Sequence, residues 1–195
     1  MNVAGLILAG GASQRMGQPK ALLPYRGETF LNRLIGLMLR ECDSVTVVLG
    51  YHAEPIQASV QRPARIVVNP EPERGQLSSF QCALRAMPSA QRLLYTPVDY
   101  PGIAAETIHA LLGQPCESFV IPRYEGRRGH PILCTWAMAE EILALPLDSD
   151  GAREVVHRHV GSTRYIDVAD AGILRDIDDA EAYAELLQAD EVRAQ

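Results

Sequence analysis

Val3-Ala4-Gly5-Leu6-Ile7-Leu8-Ala9-Gly10-Gly11-Ala12-Ser13-Gln14-Arg15-Met16-Gly17-Gln18-Pro19-Lys20 opens the chain with an apolar run that stops at two glycines. A short, unbroken apolar run bounded by glycine reads as a buried strand ending in a tight loop. Outward from it, residues 30–39 place apolar side chains at helical spacing, and residues 44–49 and 64–68 are β-branched runs. Residues 76–87 read as a helix and 92–96 as a strand, ended by Pro97 and by Asp99-Tyr100-Pro101. A helix over 103–112, strands over 118–121 and 132–135, two further helical stretches, a strand over 165–168 and a closing helix over 180–187 complete the reading. Strands alternating with helices predict a three-layer α/β/α fold with a mainly parallel sheet. Runs that are apolar throughout, without alternation, are what parallel strands covered on both faces require.

The 195 residues suit a single domain spanning 1–195, with about the last six residues expected to fray. A net charge of −6 argues against a dedicated nucleic-acid binder, whose footprint is normally basic. No apolar stretch reaches the roughly 18 residues of a transmembrane helix, so no membrane partner is expected. The N-terminus lacks the charged region of a signal peptide, which points to the cytoplasm. Cys42, Cys82, Cys116 and Cys134 lie among apolar neighbours without a CxxC pair, as reduced thiols would.

The loop after the first strand lies where open α/β sheets place their ligands. Gly10 and Gly11 let the backbone approach a ligand closely, and the charges of Arg15 and Lys20 complete a cluster suited to a triphosphate. Gly10, Gly11, Arg15 and Lys20 are therefore candidate nucleotide contacts, with Leu8 and Ala9 leading into them; an ordinary strand-to-helix turn with two solvated cations is the alternative. A P-loop is excluded, because the interval from Gly11 to Gly17 is one residue too long and Gln18 stands where lysine should; GxGxxG is absent too. Asp99 follows a strand in a turn stiffened by Pro97 and Pro101, where it would either reach the crevice or cap the next helix. His157 and His159 fall on different sides of a helix and make a poor metal pair, and His52 and His109 have no partner pattern.

LAGGASQRMGQPK (8–20) resembles the signature loop of the molybdenum cofactor nucleotidyltransferases, LA(G/A)GxSxRMGxxK, within the nucleotide-diphospho-sugar transferase-like, Rossmann-like fold. Further segments are similar in the same order: Asn69-Pro70 with Gly75-Gln76-Leu77-Ser78-Ser79, Thr96-Pro97-Val98-Asp99-Tyr100-Pro101, Gly126-Arg127-Arg128-Gly129-His130-Pro131, Asp150-Gly151-Ala152-Arg153 and Asp176-Ile177-Asp178. The resemblance implies nucleotide contacts at Asn69, Ser78 and Ser79 and acceptor contacts at Arg128, Gly129 and His130. It implies catalytic roles for Arg15, Lys20 and Asp99, with Mg²⁺ held by Asp99 and, as second carboxylate, Asp178. The family's ending reads DIDTPED, whereas Asp178-Asp179-Ala180-Glu181 lacks the Thr-Pro pair, and an N-cap for the last helix accounts for either aspartate equally well.

The activity implied is attack by the phosphate of a molybdopterin-type acceptor on the α-phosphate of a nucleoside triphosphate, with pyrophosphate released. A molybdoenzyme or its chaperone is the implied recipient of the product. Sibling transferases acting on a sugar or alcohol phosphate, and a non-catalytic protein that delivers the cofactor, are the alternatives. Family members using GTP tend to carry LAGG and those using CTP LAAG. Gly10-Gly11 favours guanine, but the later loops resemble the cytidylyl branch and tip the choice slightly to CTP. A Cβ at Gly11 is expected to occupy space beside the base.

Overall fold

The computed structural model describes residues 2–194, with side-chain placement as far as residue 190. β1 (Val3–Ala9) is buried along its whole length. After the glycine loop comes a small hairpin, β2 (Pro24–Tyr25) and β3 (Glu28–Thr29). Its two central residues, Arg26 and Gly27, both take positive φ, which suits the twist of a two-residue hairpin. α1 (Phe30–Met38) begins where the Thr29 hydroxyl accepts the Asn32 backbone N–H, and its buried face carries Phe30, Leu31, Leu34 and Ile35. β4 (Ser44–Leu49), the short α2 (Ala53–Ala58) and β5 (Arg65–Val68) follow, then α3 (Gln76–Ala86), β6 (Arg92–Pro97) and α4 (Ala105–Leu112). The last third holds β7 (Phe119–Tyr124), β8 (Arg127–Arg128), β9 (Ile132–Thr135), α5 (Trp136–Ala144), α6 (Ala152–Arg158), β10 (Arg164–Asp167) and α7 (Ala180–Ala194).

The main sheet runs in the order β10-β7-β9-β6-β1-β4-β5, with β8 folded back on β7. β1 pairs in parallel with β4 and β6, while β9 is antiparallel to both β6 and β7. Val3, Ile7 and Ala9 of β1 enter one core with α1, α2, α4 and α7. Ala4, Leu6 and Leu8 enter the other core with α3, α5 and α6. This two-residue alternation between cores is what makes the strand apolar throughout, and it fixes the three layers. The chain moves outward from β1 through β4 to β5, then crosses back by α3 to place β6 on the opposite flank of β1. Strand order thus reverses at β1, and a crevice opens beyond the carboxyl ends of β1 and β6.

Local differences from the sequence reading have physical causes. β7 continues through Arg123 and Tyr124 because these pair with Arg128 and Arg127 across the Glu125–Gly126 turn. α2 and the β2–β3 hairpin, unsignalled by any long periodic run, are both short. The closing helix does not stop at Leu187 but runs to Ala194, so residues 190–194 of the expected frayed end are helical; Gln195 lies outside the described residues. α7 is fastened to the hairpin by Tyr183, whose hydroxyl donates to the Pro24 carbonyl at 2.6 Å, and by the Arg26–Asp190 ion pair. The four cysteines are free, with Cys42 and Cys134 buried. No described helix is long and apolar enough to cross a membrane.

The residue that caps α4 is not Asp99. Asp170 accepts the Ala104 backbone N–H at 2.9 Å and the Thr107 hydroxyl at 2.7 Å, and its other oxygen accepts the Gly172 N–H at 2.9 Å. Asp170→Ala is expected to lower unfolding stability by about 1–2 kcal/mol, the worth of a lost cap, measured as a shift in urea midpoint at unchanged slope.

Candidate active site

The crevice holds a cavity of about 400 Å³ lined by residues 8–15 of the glycine loop together with Lys20, Ser79, Pro97, Asp99 and Asp178. The loop is braced from within by Ser13, a residue the sequence reading did not single out. Ser13 takes a positive φ of 50°, its carbonyl accepts the N–H groups of Met16 and Gly17, and its hydroxyl accepts the Lys20 N–H at 3.1 Å. A left-handed conformation at a non-glycine residue is uncommon, and here the hydrogen bonds to the Ser13 carbonyl and hydroxyl hold it in place. The two glycines differ in their surroundings. A Cβ on Gly10 would lie 2.7 Å from the Ser79 hydroxyl, whereas a Cβ on Gly11 would meet nothing within 4 Å. Gly10 is also the position at which LAGG and LAAG differ, while Gly11 faces the open cavity.

Backbone hydrogen bonds draw the carboxylates together. Val98 N–H donates to Leu8 O, tying the ends of β6 and β1, and Ile177 N–H donates to Asp99 O at 3.0 Å. Ile177 is fully buried, so its neighbours Asp176 and Asp178 are turned outward beside Asp99. The cap of α7 is supplied by Asp179, which accepts the Ala182 N–H at 3.0 Å. Asp178 therefore remains for the crevice, although the Thr-Pro pair is missing. Ligand atoms of Asp99, Asp176 and Asp178 all lie within 4.8 Å of one another.

Cations answer this charge. Lys20 Nζ lies 2.6 Å from Asp178 and 3.2 Å from Asp99, and Arg15 reaches Asp178 at 2.6 Å. Burial pushes the Asp99 carboxyl up to about 6, opposed by Lys20 and reinforced by the charges of Asp176 and Asp178. Asp176 is also raised, by burial and then by Asp178, whereas hydrogen bonding to Lys20 holds Asp178 below the usual carboxylate range. Burial alone would lower the Lys20 ammonium, but Asp178 and Asp99 outweigh it and raise it. A carboxylate triad that still attracts positive charge after recruiting a buried lysine fits a hard divalent cation such as Mg²⁺.

A second cavity, of about 840 Å³, adjoins the first and shares Leu8, Gly75, Gln76 and Pro97 with it. Its walls include Phe80, Tyr95, Tyr100 and Ile132, with Arg74, Arg127, Arg128 and Arg153 also lining it. Arg128, Gly129 and His130 all line this cavity, as does His157, to which the sequence assigned nothing. Gly129 passes so close to the Ile173 carbonyl that no Cβ would fit. His130 packs against Tyr100 with ring centroids 4.8 Å apart, and its buried Nδ1 has no hydrogen-bond partner among the described residues. Burial pushes its imidazole down to about 4, against a smaller upward pull from the Tyr95 backbone. His130 is thus neutral near pH 7 and brings no charge to the cavity, whereas Arg74, Arg127, Arg128 and Arg153 line it as cations.

Two expected nucleotide contacts stand behind the crevice instead of lining it. Asn69 is buried, its amide donates to the hydroxyls of Ser78 (3.0 Å) and Ser79 (3.1 Å), and its oxygen accepts the Glu71 N–H. Only Ser79 of these three reaches the nucleotide-side cavity. His159 binds Glu141 at 2.8 Å and His109 faces Glu41, so neither is near the carboxylates.

Known proteins are similar to this chain over most of its length. The nicotine blue oxidoreductase of Paenarthrobacter nicotinovorans is 32% identical to this chain, over 95% of it and 96% of that protein. The molybdenum cofactor cytidylyltransferase of Escherichia coli is 25% identical, covering 89% of each chain. A probable molybdenum cofactor guanylyltransferase of Bacillus cytotoxicus is 27% identical, over 95% of this chain and 96% of its own. The crystal structure of the Mycobacterium tuberculosis protein Rv0371c superposes with a TM-score of 0.85 at 28% identity, covering 96% of this chain and 98% of that one. The same protein is known as a manganese complex, with a TM-score of 0.79 at 26% identity, over 96% of this chain and 99% of that one. The model of the MobA-like NTP transferase domain matches residues 5–163, the span that carries the glycine loop, Asp99 and the GHP segment, and the chain therefore belongs to this family of nucleotidyltransferases.

Proposed function

We propose that the protein transfers a nucleotidyl group from a nucleoside triphosphate, CTP in slight preference to GTP, to the phosphate of a molybdopterin-type acceptor. The observation that carries this reading is the junction of the two cavities: one is built from the glycine loop and Lys20, the other from arginines and aromatic rings, and Pro97 lies on both. Asp99 stands two residues beyond, at the nucleotide side of that junction. Relatives named for cytidylyl and guanylyl transfer to the molybdenum cofactor support the substrate class.

In this reading the triphosphate lies along the backbone of Gly10 and Gly11, with Lys20 and Arg15 on its phosphates. The acceptor's phosphate enters from the arginine-lined cavity. Its oxygen forms a bond to the α-phosphorus as the bond to the β-phosphate bridging oxygen breaks, and pyrophosphate leaves. A phosphate monoester has its second pKa near about 6 and is largely unprotonated at neutral pH, so no side chain must remove a proton. Positioning and charge stabilisation do the rest. Asp99 and Asp178 would hold a magnesium ion there, which supplies charge neutralisation at the α-phosphate. A molybdoenzyme or its chaperone would then receive the nucleotide-bearing cofactor.

The relative named as an oxidoreductase favours a second chemistry on a similar chain. Pyrophosphate release with each of the four triphosphates, Mg²⁺ and molybdopterin is the deciding assay, run beside a redox assay on nicotine blue, the compound for which that relative is named. Turnover is expected only in the first. Redox turnover of nicotine blue without pyrophosphate release would establish the oxidoreductase reading, and nucleotide binding without turnover a delivery protein.

Within that assay Asp99→Asn, which keeps shape and removes charge, is expected to reduce the rate by at least about 100-fold, the scale of one deleted electrostatic stabiliser. An unchanged magnesium dependence would place the ion elsewhere. Gly10→Ala presses a methyl group on Ser79 and is expected to raise the CTP-to-GTP ratio of kcat/KM by about tenfold or more, the scale of one methyl group in a binding pocket. Gly11→Ala, whose methyl group would enter the open cavity, tests position 11 in the same way: a larger change in that ratio there than at Gly10 would put base selection at Gly11. His130→Ala should raise KM for the pterin with triphosphate affinity close to wild type; the reverse pattern would put the GHP segment on the nucleotide side.

A further inference from the structure

The two cations of the glycine loop are placed very differently. The Arg15 side chain is 68% exposed, whereas that of Lys20 is 9% exposed. Lys20 Nζ lies between Asp178 at 2.6 Å and Asp99 at 3.2 Å, and so already takes oxygens of the two carboxylates that the nucleotidyl-transfer reading assigns to a divalent ion. Magnesium binds carboxylate oxygens at about 2.0–2.1 Å. An ion among three carboxylates whose ligand atoms lie within 4.8 Å of one another would stand against the lysine ammonium. In a partly desolvated crevice the repulsion between two such cations is several-fold stronger than in water. The lysine, however, has a second direction open to it. It lines the same cavity as Gly10, Gly11 and Arg15, where a triphosphate would present anionic oxygens.

We propose that Lys20 and the divalent ion use Asp99 and Asp178 in turn. With nucleotide absent, Lys20 serves as the site's own cation and keeps the metal out. When the triphosphate arrives, its oxygens draw Lys20, and Arg15 with it, away from the carboxylates, and the metal enters the place they leave. Lys20 is therefore a positioning residue for the ion as well as a contact for the phosphates. One consequence is order: metal is taken up with the nucleotide, and the nucleotide-free protein holds it weakly. This inference rests on the nucleotidyl-transfer reading of the crevice.

The test is a titration of the full chain with Mn²⁺, free ion being read by electron paramagnetic resonance, with no nucleotide present. Lys20→Met keeps length and removes charge; it is expected to bind Mn²⁺ at least about tenfold more tightly than wild type, the scale of one charge-assisted contact. A non-hydrolysable triphosphate analogue should restore tight Mn²⁺ binding to wild type. Equal affinity of wild type and Lys20→Met without nucleotide would overturn the exchange. Acetylation of Lys20 in wild type, followed by mass spectrometry, gives a second reading independent of the variant. Saturating Mn²⁺ alone should speed it several-fold by releasing the ammonium, and an unchanged rate would also overturn the proposal. Adding Asp99→Asn to Lys20→Met separates the two levels. Loss of the gained affinity locates the exchange at Asp99, whereas full retention would place the metal elsewhere and remove the reading beneath it.

Discussion

The hydrogen bonding of β1 to neighbours on both sides, with both of its faces buried, is the constraint from which the rest of the molecule follows. A strand enclosed in this way has no free edge, so only its ends can meet solvent. At its carboxyl end the chain must turn sharply, and strand order reverses there, leaving a gap between the connections on either flank. The carboxylates and the cations of the first loop are gathered at that gap by short backbone links. Leu8 O holds Val98, Asp99 O holds Ile177, and Gly10 O accepts from Tyr51. The C-terminal segment is thereby brought beside the first loop, although more than 150 residues separate Lys20 from Asp178.

The charge of the gap is deliberately unbalanced. Three carboxylates face two cations, and burial raises Asp99 to about 6 despite its lysine partner. An ion-pair network serving stability alone would be expected to be electrically closed, because an uncompensated carboxylate in a desolvated place is costly. An open balance is a common mark of a site that waits for a further charge. The neutral His130, which lines the adjoining cavity, is the counterpart of this arrangement. Charge is concentrated at the junction and on the arginines, while Tyr95, Tyr100 and His130 form an aromatic region suited to the uncharged part of an acceptor.

Much of this was legible in the sequence, for identifiable reasons. Strands at residues 44–49 and 132–135 were readable to the residue because the first run ends at Gly50 and the second begins directly after Gly129-His130-Pro131. The glycine loop was readable because Gly10-Gly11, Arg15 and Lys20 combine conformational freedom with charge at the end of a buried run. What local reading could not supply was partnership across the chain. Asp99 looked as much a helix cap as a crevice residue, since the true cap, Asp170, approaches from 66 positions away. Asp178 and Asp179 were indistinguishable until the helix start selected Asp179. Asp176 belonged to the carboxylate group through the two-residue spacing about Ile177, a signal present in Asp-Ile-Asp but without meaning until Ile177 was seen to be the buried anchor. Ser13 matches the fixed serine of the loop signature, but its bracing role could not be read from that match alone.

The case of Asn69 and Ser78 shows how a motif can be tied to a site without touching it. Neither lines the nucleotide cavity, yet Asn69 donates to both serine hydroxyls and is itself fixed by the Glu71 N–H. Ser79 is the member of this chain that reaches the crevice, and it stands where the first Cβ of an alanine at position 10 would go. The position of Ser79 is thus set from behind by a buried amide, and the room beside Gly10 is set by Ser79. Any adjustment of the loop between glycine and alanine must pass through that hydroxyl to Asn69. A buried amide with all its groups engaged resists such movement, because breaking one of its bonds strands the others. Selection at the nucleotide end can therefore reside in the stiffness of this support as much as in the atoms that meet the nucleotide, and the segments around Asn69 and Ser78-Ser79 form one mechanical unit with the glycine loop.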